Sequence, residues 1–262
     1  MTAFSIEPIT AAVGVEIEGI DLAAPIGDRV ARPLRQALHR HGELIFRDQN
    51  AMTRRHQADF ARIFGDIVRS PLGLIADPDV VEIVHDETRP PTENIWHVDP
   101  SFSPAPPRAA VLCAIELPTA GGDTLFADMR IVWRRLPEAV QTVLRGLEAV
   151  HDIAKCAPAT CAVELRAAAP PTRHPVMKVH PATGEEILFV NEAYTTGFDG
   201  LDEKDGATLL GYLLDQIRIP EVQCRLRWHP GTVAVWDNRS MQHYATSDYF
   251  PQRRVMDRVT IA

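Results

Sequence analysis

The segment Trp96-His97-Val98-Asp99 sets an imidazole and a carboxylate two residues apart. On a β-strand, alternate residues face the same side, so His97 and Asp99 would present both groups to one point. A second imidazole from a neighbouring strand would complete a facial set of two histidines and one carboxylate. That set covers one face of an octahedral iron(II) and leaves positions open for a co-substrate and oxygen. Alone, His-x-Asp is common in solvated loops, so the pair needs support from elsewhere in the chain.

The chain holds 10 histidines. His243 is the best placed third ligand, because it follows the apolar run ending at Trp236 and the turn-forming Asp237-Asn238. His229 precedes Pro230-Gly231 and reads as a turn residue, while His174 and His180 adjoin prolines. His39, His41 and His56 fall on or beside helices with polar neighbours, where exposure is expected. His85 and His151 stay open as alternatives. A cation for a carboxylate is offered by Arg254 and Arg258, which share one strand face unless a bulge intervenes. Arginine matches a carboxylate with a planar fork, which lysine cannot do.

The elements that must position these groups are short strands with a few long helices. A β pair around Gly14 and Gly19 leads to a helix with Val30, Leu34 and Leu38 on one face, stopping near Gly42. A strand over Glu43–Arg47 follows. A second helix starts at the N-cap Thr53, buries Phe60, Ala61 and Phe64, and ends at Gly65. Two more are expected: one from Pro137 presenting Val140, Val143, Leu144 and Leu147, the other from Asp202 presenting Leu209, Leu210, Leu213, Leu214 and Ile217. Val222, Cys224, Leu226 and Trp228 alternate with polar residues as a half-buried strand does. The last strand spans Arg254–Ile261. This pattern suits a sandwich or jelly roll braced by helices. The segment 153–173, rich in alanine and proline, reads either as a flap over a site or as a plain surface loop.

Composition narrows the partners. A formal net charge of -8 argues against nucleic acid, which needs a basic face. No run reaches the roughly 18 apolar residues of a transmembrane helix. The opening Met1–Pro8 lacks a basic region followed by an apolar one, so the expectation is a cytoplasmic protein away from membranes. Four cysteines, Cys113, Cys156, Cys161 and Cys224, are expected as free thiols.

Trp96 to Phe102, Gly121-Gly122-Asp123-Thr124-Leu125-Phe126 and the segment Trp236 to Arg258 resemble the taurine dioxygenase and chlorophenoxyacetate dioxygenase family of iron(II)/α-ketoglutarate enzymes. The likeness continues through Arg47-Asp48-Gln49, Phe64-Gly65, His180–Gly184 and Leu188–Glu192, and so covers nearly the whole chain. It implies one catalytic domain over residues 1–262, folded as a double-stranded β-helix, a cupin-like jelly roll. It implies that His97, Asp99 and His243 bind iron(II), with α-ketoglutarate and O2 as co-substrates. Arg254 would pair with the distal carboxylate of α-ketoglutarate, and Thr124 would hydrogen-bond it. Arg258 would meet an anionic substrate between Phe102 and Tyr194. Family members form dimers or tetramers, which makes a homo-oligomer the expectation here.

The chain departs from the taurine enzyme above the metal. Ser70 and Gly73 stand where that enzyme has substrate-reaching His and Tyr, and Glu93, or its neighbour Asn94, stands at its asparagine. A small anionic organic substrate is therefore expected, with taurine itself out of favour. The expected reaction hydroxylates, desaturates or oxidatively cleaves it, releasing succinate and carbon dioxide. Two competitors are a zinc hydrolase on the same ligands and a non-catalytic module that binds a small acid.

Overall fold

Apolar alternation along the strands resolves into sheets that face one another. The computed structural model describes residues 4–68, 79–157 and 160–262. In chain order the strands are β1 (Ser5–Pro8), β2 (Val15–Glu18), β3 (Glu43–Phe46), β4 (Val81–His85), β5 (Ala109–Glu116), β6 (Thr124–Asp128) and β7 (Glu148–His151). They continue with β8 (Thr172–Pro175), β9 (Met177–Val179), β10 (Glu186–Leu188), β11 (Thr195–Phe198), β12 (Gln223–Leu226), β13 (Val233–Asp237), β14 (Met241–Ala245) and β15 (Arg254–Ile261). The helices are α1 (Asp28–His41), α2 (Arg54–Ala61), α3 (Met129–Arg135), α4 (Glu138–Leu144), α5 (Ala162–Ala168) and α6 (Glu203–Ile217).

A seven-stranded sheet in the order β1-β2-β3-β13-β5-β15-β4 lies opposite a three-stranded sheet, β12-β6-β14. Strand β13 shows how the alternation is spent. Val233 and Val235 point outward into a core with Leu34 and Leu38 of α1 and Phe60 of α2. Ala234 and Trp236 point inward to meet Leu112, Phe126, Leu226, Met241 and Met256 between the two sheets. A third core, with Trp133, Leu144, Leu188, Leu213 and Ile217, gathers α3, α4 and α6 on the far side of the small sheet. The expected jelly roll with bracing helices is the observed architecture, and solved relatives described below share it.

Helix α1 ends at Gly42, whose φ of 77° suits glycine; an added Cβ would collide with the Met241 thioether. Helix α2 starts at Thr53 in a capping box with His56 and stops at Ala61, so Phe64 packs from beyond its end. In α4 the expected apolar face is thinner: Val143 is 61% exposed, and Leu144 is the residue it buries. Helix α3 had no counterpart in the expected elements. Asp128 caps it, and it buries Met129, Arg130, Val132 and Trp133 within two turns. The 153–173 segment contains a 3-10 turn at Ile153–Cys156 and helix α5, which buries none of its residues. All four cysteines are free thiols. Among the described residues, no helix is long and apolar enough to cross a membrane.

Candidate active site

His97 and His243 are bound to each other through their backbones before any metal is considered. The His97 N–H donates to the His243 carbonyl at 3.1 Å, and the His243 N–H donates to the His97 carbonyl at 3.0 Å. This isolated antiparallel bridge at the edge of β14 corrects the expectation of a continuous strand through the motif: His97 pairs, and Asp99 already begins a turn. The side chains converge nonetheless. His97 Nε2 lies 3.5 Å from Asp99 Oδ1 and His243 Nε2 lies 3.5 Å from Asp99 Oδ2. Their ligand atoms all fall within 4.8 Å of one another.

Each of the three is oriented by a neighbour. The Ile95 carbonyl sits 2.7 Å from His97 Nδ1, which must therefore carry the proton and leave the Nε2 lone pair free. Asn238 holds the turn at Asp99, accepting from its backbone N–H at 3.1 Å and donating to the carbonyls of Asp99 and Pro107. His243 packs on the rings of Trp236 and Phe126. Asp237, fully buried on β13, accepts from His180 and Arg239, which fixes the corner between β13 and β14.

Electrostatics favours the protonation states a metal needs. Burial, with the adjacent His243, pushes His97 down to about 4, so its imidazole is neutral at ordinary pH. Burial alone would raise Asp99, but the Arg258 guanidinium and the two imidazoles hold its carboxyl well below the usual carboxylate range. Arg258 Nη1 donates to Asp99 Oδ2 at 3.1 Å.

Beside this set opens a cavity lined by Thr124, Trp236, Arg254 and Arg258, with Ile83, Leu112 and Met256 as its apolar wall. Arg254, Met256 and Arg258 alternate on one face of β15. The irregularity in the β15–β5 pairing falls on β5, where Ile115 is the extra residue, so the face is preserved. Arg254 is 4% exposed, yet its Nε and Nη2 have no hydrogen-bond partner in the protein. The rings of Trp228 and Tyr249 flank the guanidinium at 6.0 and 5.8 Å. Thr124 Oγ1 accepts from Trp228 Nε1 at 3.0 Å, so its own hydroxyl proton remains available to donate. Gly122 makes room for this arginine, since a Cβ there would press on Arg254 and Tyr249 from 3.2 Å.

A buried guanidinium with idle donors is expensive unless an anion completes it. A dicarboxylate with one end at the imidazole–carboxylate set and the other at Arg254 and Thr124 fits this cavity's chemistry. The donor set suits iron(II) as well, with two imidazoles and one carboxylate on one side.

A second cleft, about 360 Å³, adjoins the set and is bordered by Asp99, Phe102, Tyr194 and Arg258, with Ile153 and Cys156 from the 153–173 segment. The Phe102 and Tyr194 rings meet edge to face at 5.0 Å. Two substrate-contact expectations fare differently. Asn94 is exposed and lines neither cavity; Glu93 is the residue turned inward, its carboxylate 3.3 Å from His85 Nε2. The irregular backbone before His97 turns alternate side chains out, and this decides between the neighbours. Ser70 lies outside the described residues. His85 lines the first cavity and is bound to the Tyr249 hydroxyl at 2.9 Å, while His151 is buried away from the metal set beside Ser101. His174 and His180 are buried too, contrary to a reading of proline-flanked turns. Tyr249 carries no spacing signal that could find it, while Glu93 is legible through the family resemblance alone and His85 only as one open alternative among the histidines.

The model of the taurine catabolism dioxygenase TauD, TfdA family matches residues 5–260. The chain belongs to that family. An α-ketoglutarate-dependent sulfate ester dioxygenase of Pseudomonas putida is 31% identical, over 98% of this chain and 89% of the relative. An α-ketoglutarate-dependent 2,4-dichlorophenoxyacetate dioxygenase of Cupriavidus pinatubonensis is 30% identical, over 93% and 92%. The crystal structure of a taurine dioxygenase from Burkholderia xenovorans superposes with a TM-score of 0.86 at 28% identity, covering 99% of this chain and 90% of the other. This family member is a non-haem iron(II)- and α-ketoglutarate-dependent dioxygenase.

Proposed function

We propose that the chain acts as a single catalytic unit that oxidises a small anionic organic substrate, with His97, Asp99 and His243 as the iron ligands. The observation that carries the reading is the combination, in one cavity, of that ligand set with a buried Arg254 whose Nε and Nη2 lack partners. Iron(II), with α-ketoglutarate and O2 bound, supplies oxidising power sufficient to break an unactivated C–H bond, at the expense of α-ketoglutarate decarboxylation to succinate.

The protein's own residues hold and orient. Arg254 and Thr124 fix the distal carboxylate of α-ketoglutarate, and Ile83, Leu112 and Met256 keep water from it. Arg258 bridges the two cavities. Its Nη1 is spent on Asp99, and its buried Nε has no partner, so that donor serves the substrate anion. Phe102 and Tyr194 clasp the apolar body behind the anion, and Ile153, Cys156 and Ala157 border the cleft beside them. The relatives named for sulfate esters and phenoxyacetates support an anion joined to an apolar body. Oxidation at a carbon bearing oxygen would release the group attached there. A homo-oligomer in the cytoplasm is the setting proposed for the enzyme.

A zinc hydrolase would have no use for the idle Arg254 donors, and a binding module would have no use for three converging ligands. The deciding experiment is a screen of alkyl sulfates, sulfonates and aryloxyacetates for stimulated succinate release with iron(II). Hydrolysis with zinc and no α-ketoglutarate, or metal-free binding of acids with no turnover, would overturn the proposal.

A further inference from the structure

Behind the second cleft lies a buried polar cluster that the proposed chemistry does not use. Its centre is Ser101, fully buried in the turn between Asp99 and Phe102. Asn191, 1% exposed, donates from Nδ2 to Ser101 Oγ at 2.8 Å. Its Oδ1 accepts from the Tyr194 backbone N–H at 2.8 Å. One amide side chain therefore ties together the two loops that carry Phe102 and Tyr194.

The turn at Ser101 is held from behind as well. His151 Nδ1 lies 2.9 Å from the same hydroxyl. His174 Nε2 lies 2.9 Å from the Ser101 carbonyl and 3.0 Å from that of Ser103. Both partners are acceptors, so Nε2 carries the proton, and Nδ1 accepts from Lys178 Nζ at 3.2 Å. On the other side, the Tyr194 carbonyl accepts from the Asp152 N–H at 2.8 Å, which ties the Tyr194 loop to the start of the 153–173 segment. Polar groups so deeply buried specify one arrangement of the loops that share them.

We infer that Asn191 and Ser101 are positioning residues which set the spacing of Phe102 and Tyr194, and thereby the width of apolar group the cleft accepts behind its anion. The inference rests on the reading of that cleft as the substrate site. Ser101 touches no metal ligand side chain, so the bridge acts on the substrate side and leaves the metal and co-substrate side untouched.

The test uses the full chain loaded with Mn(II) and N-oxalylglycine, with hexyl sulfate as the probe. Ser101→Ala removes the bridge but leaves the Asn191–Tyr194 contact in place. The expected result is faster amide exchange, roughly fivefold or more, at residues 194–196 as well as 101–103. Hexyl sulfate affinity falls about tenfold, the scale of one buried hydrogen bond. Mn(II) and N-oxalylglycine affinities stay within about twofold. Faster exchange confined to 101–103, or an equal loss of Mn(II) affinity, overturns the inference. Should Ser101→Ala fail to fold, Asn191→Ser, too short to span both loops, gives the same readout. If the unaltered protein binds neither hexyl sulfate nor any other anion, the substrate reading fails, while the exchange pattern still decides for or against the bridge.

Discussion

Replacing Arg254 with methionine should move two properties in opposite directions. The guanidinium is 4% exposed with idle Nε and Nη2. In the ternary complex these donors meet a carboxylate, each forming a charge-assisted hydrogen bond of roughly 1.5–3 kcal/mol. Even at the lower end, two such bonds come to about 3 kcal/mol, roughly a 150-fold rise in the Kd of α-ketoglutarate. Without the co-substrate the sign reverses. A buried guanidinium with unpartnered donors weakens the fold, and burial lowers the pKa of Arg254 from its ordinary value although the Glu93 and Asp123 carboxylates act against it. Methionine keeps the apolar stem against Trp228 and Tyr249 and removes the charge, so the ligand-free variant should gain about 1–3 kcal/mol. Calorimetric titration of the Mn(II)-loaded protein reads the first effect, and urea denaturation of the metal-free protein reads the second. Co-substrate affinity within about threefold of the parent would refute the assignment. A destabilised metal-free variant would show that Arg254 holds the fold rather than a ligand.

Asp99→Ala and His97→Ala should each weaken Mn(II) binding by about 100-fold or more, as loss of a ligand does, and abolish iron-dependent succinate release; retained metal affinity in either would remove that residue from the ligand set. Arg258→Ala should erase any preference for anionic over neutral probes in the succinate assay, and an unchanged profile would mean the anion is held elsewhere. Glu43 is fully buried on β3, accepts from Cys224 Sγ at 2.9 Å, and is pushed up to about 8 by burial. Its folded value lies above the unfolded 4.5, so the stability tied to its protonated form is complete below about 4.5 and lost as pH rises through about 8, a loss of at most about 5 kcal/mol. Glu43→Gln should therefore flatten the fall in urea stability between pH 5.5 and pH 8.5; equal slopes in parent and variant would refute it.

Residue spacing made His97 and Asp99 a candidate pair and His243 the best placed of several histidines, and the family resemblance joined them to Arg254 and Thr124. Strand β15 keeps its alternation, so Arg254 and Arg258 both reach the cavity beside the three. The backbone before His97 is irregular, and there a choice between Glu93 and Asn94 depends on a register that no periodicity records. Helix α3 is too short for a repeating apolar face, and its buried Arg130 is paired by the adjacent Asp128 and, across the fold, by Glu185 and the His39 and Arg40 carbonyls. His174 and His180 were misjudged for the same reason, and His151 stayed an open alternative. Their partners, Ser101, the carbonyls of Ser101 and Ser103, and Asp237, lie far off in sequence, and burial of a polar side chain is settled by such partners.

The reciprocal backbone bonds between His97 and His243 bear on how the enzyme is loaded and unloaded. The spacing of the two proposed ligands is set by the folded chain, not by the ion, so metal capture at these residues should need no ordering of backbone. Where folding and metal binding are one event, a chelator unfolds the protein. Here the chelated protein should keep its cooperative unfolding transition and regain activity on mixing with iron(II), at a rate set by ion entry and not by refolding. Scarcity of iron would then idle the enzyme without destroying it.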